Sequence, residues 1–210
     1  MNPPQIGILH RDIIDESFFN DFSLEIDHPD LNLNIKAMPA LGPFACAEWF
    51  IPTVIAAFVG KAYFEEFFKE MGREHYQILK QALIKLTKKS INQPRLEPTL
   101  MTTSGKVNQN NPYSMAFSIM AEANDGYRFK LLLPKYTEKF SYDLAVAMFM
   151  EFIADYHLLG VNSKAHHEIL KSGMKAGIIL VRLNIETNEI EWQDSIPPEV
   201  RARMIDRSTT

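Results

Sequence analysis

The sequence predicts an α+β fold in which antiparallel β-hairpins pack against a long, apolar central helix and two further helices. Short segments that alternate apolar and polar residues recur along the chain and are separated by turn residues, which is typical of hairpins. Other segments place apolar residues at helical spacing. The most apolar part of the chain, residues 43–71, is the predicted centre of the fold.

The first elements expected are a short strand at 5–10 and a β-hairpin at 22–36. Residues 22–27 and 31–36 both alternate apolar with polar side chains, which is the period of a half-buried strand. His28-Pro29-Asp30 separates the two segments and has the composition of a turn. The hairpin is therefore predicted to lead directly into the central helix.

Residues 43–71 are predicted to form this central helix. Glu48 is the only charged residue in its first half, and a long run of Ala, Phe, Val and Ile without turn residues favours a helix over a strand. Pro52 predicts either a kink or the true start of the helix. On a helical projection 44–59 is apolar on every side, whereas 61–71 is amphipathic. The first half should therefore be buried, and the second half should have one exposed face.

The rest of the chain predicts further helices and two hairpins. Gly72 should end or bend the central helix, and Ser141 should cap a later helix that Gly160 ends. Asn124-Asp125-Gly126 lies between apolar runs and is a strong hairpin signal, because Gly tolerates positive φ. The predicted segments are a helix at 74–90, a hairpin at 113–133, helices at 142–159 and 164–171, and a hairpin at 177–192.

We expect these elements to form a single domain, 1–210, in which a division into two lobes would fall near 92–112. Hydrophobic residues make up 46% of the chain and charged residues 23%, which is typical of a globular protein. The net charge of −4 provides no basic surface, so no nucleic-acid partner is expected. Cys46 is the only cysteine, and the first residues lack a secretory-signal pattern. We therefore expect a cytoplasmic protein.

Residues 40–60 are apolar enough to raise the alternative of membrane association. A bilayer-spanning helix needs ~20 predominantly apolar residues. This stretch reaches that length only if several prolines and Glu48 lie inside it, and no cluster of Lys or Arg flanks it. A buried helix of the core or of an oligomer is therefore favoured over insertion into a membrane.

The sequence contains no familiar catalytic or nucleotide-binding motif. It lacks a Walker A loop, the G-x-G-x-x-G and G-x-S-x-G patterns and H-E-x-x-H, so no catalytic residue, metal ligand or cofactor is assigned. Glu48 is a candidate perturbed acid because it lies among apolar residues, and the alternative is a carboxylate paired with a cation or with a helix N-terminus. His75, beside Glu74, is a candidate base, and the alternative is a residue that ties a helix junction.

Two further groups of polar residues lie on the predicted helices. Glu151 and Asp155 form an acidic stripe with Asp143, which could hold a divalent cation, and a solvated helix face is the alternative. His166-His167-Glu168 offers metal-ligand side chains, but adjacent residues on a helix do not face one another. We therefore expect no metal site in either group.

These features favour an intracellular, non-enzymatic interaction or assembly protein. Its 14 Phe and 10 Met residues suit large contact surfaces. Self-association through helix 43–71, or a protein partner, would cover the apolar half of that helix. The nominated interaction surface consists of Tyr63, Phe64, Phe67 and Phe68. The alternative for this surface is that it packs on the sheet.

Two alternatives to an interaction protein are kept. The first is a membrane-associated effector or accessory protein that inserts residues 40–60. The second is an enzyme that uses Glu48, His75 or the Glu151/Asp155 stripe. The enzyme hypothesis requires that at least two of these features converge on one pocket.

Overall fold

The computed structural model describes residues 4–39, 53–98, 111–172 and 177–193, with only the backbone described for 66–72, 125, 168 and 170–172. The strands in these ranges are β1 (Ile6–Arg11), β2 (Leu33–Met38), β3 (Ile55–Val59), β4 (Phe117–Glu122), β5 (Tyr127–Leu131), β6 (Gly177–Asn184) and β7 (Glu189–Trp192). The α-helices are α1 (Asn20–Glu25), α2 (Phe68–Ile91), α3 (Tyr142–Leu159) and α4 (Lys164–Ser172). A π-helical segment, Tyr63–Phe67, leads into α2.

All the described strands belong to one mixed sheet with the order β2-β1-β3-β4-β5-β6-β7. Parallel and antiparallel pairs alternate across this sheet. The parallel pairs are β1-β2, β3-β4 and β5-β6, and each is joined by a connection that contains a helix, since parallel strands need a crossover. The fold is therefore α+β, as the sequence predicts.

Helices α1, α2 and α3 pack on one face of the sheet, which we call the helix face. Phe129 of β5 contacts Phe152 and Tyr156 of α3 there, with ring centroids 5.0 and 5.3 Å apart. Helix α2 contacts both α1 and α3. The buried side chains that the strands contribute to this core include Ile6, Ile8, Ile55, Ala57, Ile119 and Val181. The main core thus lies between the sheet and these helices.

Among the described side chains, four ion pairs connect α2 to its neighbouring helices. The pairs are Lys85–Glu25 and Lys89–Asp21 to α1, and Lys80–Glu151 and Lys88–Asp143 to α3, with N–O distances of 2.7 to 3.5 Å. The basic run at the end of α2, which comprises Lys85, Lys88 and Lys89, is therefore used within the fold.

Residues 55–59 form a strand, so the prediction of a central helix at 43–71 is wrong over this range. β3 lies between β1 and β4, and Ile55, Ala57 and Val59 are almost fully buried. A strand covered on both faces loses the alternation of apolar and polar residues, so its sequence cannot be told from that of a buried helix by periodicity.

Residues 40–52 lie outside the described residues, so the expectations for Glu48 and Pro52 stay predictions. From residue 61 the chain is helical, and the helix continues through Gly72 to Ile91. The prediction for Gly72 is that it ends or bends a helix. Gly72 does not end the helix, so that part of the prediction is wrong. A glycine inside a helix costs only about 1 kcal/mol relative to alanine, which a helix of this length tolerates.

The predicted hairpin at 22–36 is also wrong, because its first half is helix α1. Phe22 is buried against the core, whereas Leu24 is 76% exposed. A helix of six residues makes fewer than two turns, so its pattern overlaps with that of a strand. Strand β2 does form, but it pairs with β1 in parallel.

The two later hairpins are confirmed. β4 and β5 pair antiparallel across a turn in which Gly126 has a φ of 79°. β6 and β7 pair antiparallel across a turn in which Asn188 has a φ of 56°. The caps of α3 are confirmed as well, since Ser141 Oγ accepts from Leu144 N and Gly160 ends the helix with a φ of 54°. Both hairpins are parts of the single sheet.

Helix α3 is the most apolar of the described helices. Together with the turn that follows it, residues 142–162 form a segment long and apolar enough to cross a bilayer, judged by length and composition. Core helices of globular proteins have the same composition. Here Val146, Phe149 and Ile153 of α3 are fully buried. Length and composition therefore do not assign α3 to a membrane.

Candidate binding cleft

A cleft of about 480 Å³ opens at one end of the sheet, beside the β6–β7 turn. Its volume is typical of ligand-binding pockets. β6 and β7 provide one side of the cleft, and the loop that follows β5, together with residues 112–113, provides the other. The cleft is open to solvent, so a ligand could enter it without rearrangement of the strands.

The polar side of the cleft is a hydrogen-bonded network on the β6–β7 hairpin. Glu191 accepts hydrogen bonds from Arg182 Nε at 2.8 Å and from Asn184 Nδ2 at 3.0 Å. Asn184 Oδ1 in turn accepts from the backbone N–H of Glu186 in the turn, at 2.9 Å. The hydroxyl of Tyr113 reaches this network from the other side of the cleft and contacts Arg182. These contacts fix the charged side chains before any ligand binds.

The network also sets the charge of its members. The hydrogen bond from Asn184, with further help from Arg182, holds the pKa of Glu191 below its ordinary value. Burial alone would lower the pKa of Arg182, but its contacts with Glu191 and Tyr113 outweigh that effect and raise it. The cleft therefore keeps a carboxylate and a guanidinium side by side over a wide pH range.

The opposite side of the cleft is apolar. Leu132, Pro134 and Phe140 line it, and Ile185 stands 67% exposed at the rim. Such a surface can take up an apolar side chain of a ligand. The cleft thus offers an apolar side and a polar side at a short distance from one another.

The segment that carries Tyr113 is held to the sheet by backbone and side-chain contacts. Tyr113 bridges to Pro134, and Ser114 N donates to Leu133 O at 2.8 Å. Glu97 accepts from Ser114 Oγ at 2.7 Å and from the backbone N–H of the next residue at 2.8 Å. The Tyr113 hydroxyl donates to Gln193 Oε1 at 3.1 Å. This wall of the cleft is therefore fixed in place.

Two of the four side chains in the surface nominated from the sequence are buried. Tyr63 and Phe64 are 0% and 1% exposed, so these two side chains belong to the core. For them the alternative of packing inside the fold holds. Phe67 and Phe68 lie in the helical segment, and their side chains are not among those described.

His75 lies in the core near the start of α2 and is 6% exposed. Its Nε2 lies 3.3 Å from the carbonyl oxygen of Ile26, and its Nδ1 lies 3.3 Å from the hydroxyl of Tyr63. A carbonyl can only accept, so Nε2 carries the proton and Nδ1 accepts from Tyr63. Burial lowers the pKa of His75. The residue ties the end of α1 to α2 and does not line the cleft.

The acidic stripe of α3 is divided among lysines of α2. Glu151 pairs with Lys80 and Asp143 with Lys88, while Asp155 is exposed. Within the described ranges no three His, Cys, Asp or Glu side chains come together in a way that could hold a metal ion. The stripe is therefore a set of interhelical contacts, and it does not converge with His75 on the cleft.

The remaining candidates do not join the cleft. His166 and His167 lie in the first turn of α4, where the backbone N–H of His166 donates to Ser163 Oγ at 3.1 Å. Glu48 and Cys46 lie outside the described residues. The structure therefore brings none of the described candidates from the sequence into the cleft.

One part of the cleft could have been found from the sequence. Arg182 and Glu191 carry opposite charges on the two arms of the predicted hairpin, and the observed turn at 185–188 places them directly opposite each other, where such charges attract. Tyr113 could not have been found, because its contact with Gln193 joins residues that are far apart in the chain.

Comparison of this chain with protein-family models, with curated proteins and with solved structures gives no match. The α+β fold alone does not indicate a function, because one fold can host many functions.

Proposed function

We propose that this chain is a non-enzymatic interaction protein that binds an extended segment of a partner protein in the cleft. The observation that carries the proposal is the combination of an apolar wall and a fixed polar network at one open site. The apolar wall suits a side chain of the partner. Arg, Asn, Glu and Tyr suit the amide groups of an extended backbone, which offer both donors and acceptors.

The chemistry of the lining supports binding over catalysis. The described residues that line the cleft include no Ser, Thr, Cys, His or Lys, which are common nucleophiles and bases. Glu191 is a poor proton acceptor because hydrogen bonds from Asn184 and Arg182 stabilise its ionised form. The site is thus better suited to hold a ligand than to transform one.

Self-association remains part of the proposed function. The described residues do not support the predicted interface, a helix at 43–71. Residues 55–59 are a central strand of the sheet, and Tyr63 and Phe64 are covered by the chain itself. Insertion of residues 40–60 into a membrane as one segment would require β3 to leave the sheet.

The proposal is tested with a displayed library of random linear peptides selected on the folded protein. We expect enriched peptides that bind the wild type and lose at least about tenfold in affinity with Phe140→Ala or Arg182→Ala, since central apolar and Arg anchors dominate such interfaces. Binding would be measured by fluorescence polarisation of the labelled peptides.

The matched control is Tyr136→Ala. Tyr136 belongs to the same loop as Phe140 and is 58% exposed, but it does not line the cleft. Its replacement should leave peptide affinity unchanged. Failure to enrich any peptide, or equal binding by the wild type and both cleft variants, would refute the proposal.

A further inference from the structure

The two outermost strands of the sheet are β2 and β7, and each has one edge with which no described strand pairs. In the described part of the chain β2 pairs only with β1 and β7 only with β6. Gln193 N donates to Leu180 O at 2.8 Å, so alternate residues of β7 face β6 and the backbone groups of Ile190 and Trp192 turn outward. An edge of this kind is a template for another strand.

The same reasoning gives the outward residues of β2. Asn32 O accepts from Ile6 N and Met38 O accepts from Asp12 N, so the even-numbered residues of this segment face β1. The residues whose backbone groups turn outward are Leu33, Ile35 and Ala37.

The outward-turned residues of β2 and β7 carry their side chains on the same face of the sheet. Leu33 lies opposite Ile6 and Trp192 lies opposite Val181, and both of these partners are buried. The outward-turned residues of both edges therefore project their side chains on the helix face. Lys36 of β2, and Glu189 and Glu191 of β7, project on the other face because side chains alternate along a strand.

The directions of the two edges match as well. β2 runs with β1, and the successive pairings across the sheet leave β7 antiparallel to β2. A second copy placed beside β7 in the same orientation would present its β2 antiparallel to β7. Its helices would then lie on the same side of the extended sheet.

We propose that β7 of one copy pairs antiparallel with β2 of a second copy of this chain. Placing Ile35 opposite Ile190 puts Lys36 opposite Glu189, and a shift of two residues puts Lys36 opposite Glu191. Opposite charges directly across a strand pair stabilise it, and like charges destabilise it. The lysine therefore meets a glutamate in either register.

The charges also select this pairing over the symmetric one. Two β7 edges paired around Ile190 would place Glu189 opposite Glu191, and two β2 edges offer no acidic partner for Lys36. Lys36 is exposed and makes no ion pair with the described residues. The contact joins two different edges, so it generates rings or open chains of copies rather than a closed dimer.

The glutamates of β7 also have partners within the chain. Glu189 pairs with Lys164 at 2.8 Å, and Glu191 pairs with Arg182. A carboxylate can accept from more than one donor, so these contacts leave room for Lys36. The backbone hydrogen bonds would supply most of the stability, and the charges would set the register and the choice of edge.

The test is sedimentation velocity of the full chain over a wide range of protein concentration. We expect the wild type to associate with increasing concentration into species larger than a dimer. With Lys36 opposite Glu189, Lys36→Glu and Glu189→Lys should each weaken association by about tenfold, because each replaces an attraction by a repulsion. In the register shifted by two residues, Glu191→Lys takes the place of Glu189→Lys. An equimolar mixture of these two variants should associate again, since each supplies the charge that the other lacks.

Ala37→Pro provides a second, independent variant. Ala37 is exposed, and proline would remove an outward N–H without removing a bond to β1. Ala37→Ser is its matched control and should associate like the wild type. Circular dichroism would confirm that each variant is folded. Phe140→Ala should leave association unchanged, which separates this proposal from peptide binding in the cleft.

A wild type that stays monomeric at every concentration would overturn the proposal. Lys36, Glu189 and Glu191 would then serve to keep the edges from pairing. Association that persists unchanged in Lys36→Glu, Glu189→Lys and Ala37→Pro would overturn it as well, because the contact would then lie elsewhere.

Discussion

One buried histidine, His75, and one half-buried histidine, His157, illustrate how polar residues are used at the scale of single side chains. His157 Nε2 lies 2.9 Å from the carbonyl oxygen of Glu122, and the imidazole ring stacks on the ring of Phe64 with centroids 4.8 Å apart. His75 is held between Ile26 and Tyr63. Burial of these rings disfavours a positive charge on either of them.

We expect the free energy of unfolding to fall as the pH is lowered through 6.5, the ordinary pKa of histidine. Burial lowers the pKa of both His75 and His157 in the folded chain. The unfolded chain therefore binds protons first, and stability is lost between 6.5 and the lower folded-state pKa values. Urea denaturation from about pH 8 to about pH 5 measures this dependence.

Substitution identifies the groups responsible for the pH dependence. His75→Gln and His157→Gln should each reduce it, because each removes one of the histidines whose pKa is lowered by burial. His167 is exposed, and His167→Gln serves as the control that should leave the dependence unchanged. If both His75→Gln and His157→Gln keep the pH dependence of the wild type, the assignment of that dependence to these histidines is wrong.

At the scale of elements, local signals decide where α3 and the later hairpins begin and end. Ser141 precedes the apolar face of α3 and bonds Leu144 N, one of the N–H groups that a helix start leaves without a partner. Gly160 and Gly126 adopt positive φ, which glycine does at no steric cost. These signals involve only a few neighbouring residues, so they can be recognised in the sequence.

The cap of α3 gives a quantitative expectation. Ser141→Ala should lower the free energy of unfolding by about 1 kcal/mol, because it leaves the N–H of Leu144 without its side-chain acceptor. Ser141→Asp should retain the stability of the wild type, since aspartate also caps. Urea denaturation of the three proteins distinguishes these outcomes, and equal stability of the alanine and aspartate variants would argue against the cap.

Two elements were assigned wrongly from the same kind of local signal. β3 is an uninterrupted apolar run because its side chains are buried or half-buried on both faces of the sheet. α1 is so short that Phe22 and Leu24 fit a strand pattern as well as a helix. In both cases the deciding contacts come from segments distant in the chain, and the local pattern does not contain them.

At the scale of the whole molecule, the helices are connected both by a shared apolar core and by ion pairs. Lys88 and Asp143 are each half exposed, so water and salt screen their attraction. Leu83 of the same helix is fully buried. The core should therefore contribute far more to stability than the ion pairs do.

A comparison of two substitutions in α2 tests this expectation. Lys88→Met should change the free energy of unfolding by less than about 1 kcal/mol, which is the usual contribution of an exposed ion pair. Leu83→Ala should lower it by about 2–5 kcal/mol, because it removes buried methyl groups and leaves a cavity. A larger loss from Lys88→Met than from Leu83→Ala in urea denaturation would show that the ion pairs hold the helix layer together.

The sequence by itself determined the α+β class, the two later hairpins, helix α3 with both of its ends, and most of α2. Each of these depends on periodicity, caps or turn residues, which are properties of neighbouring residues. Tertiary structure alone decided the strand state of 55–59, the order of the strands and the cleft. Strand order and the cleft join residues such as Tyr113 and Gln193, and no local pattern records such pairs. Contacts between distant segments change the free energy of each element by more than its own propensity does, so they decide wherever the local signal is weak.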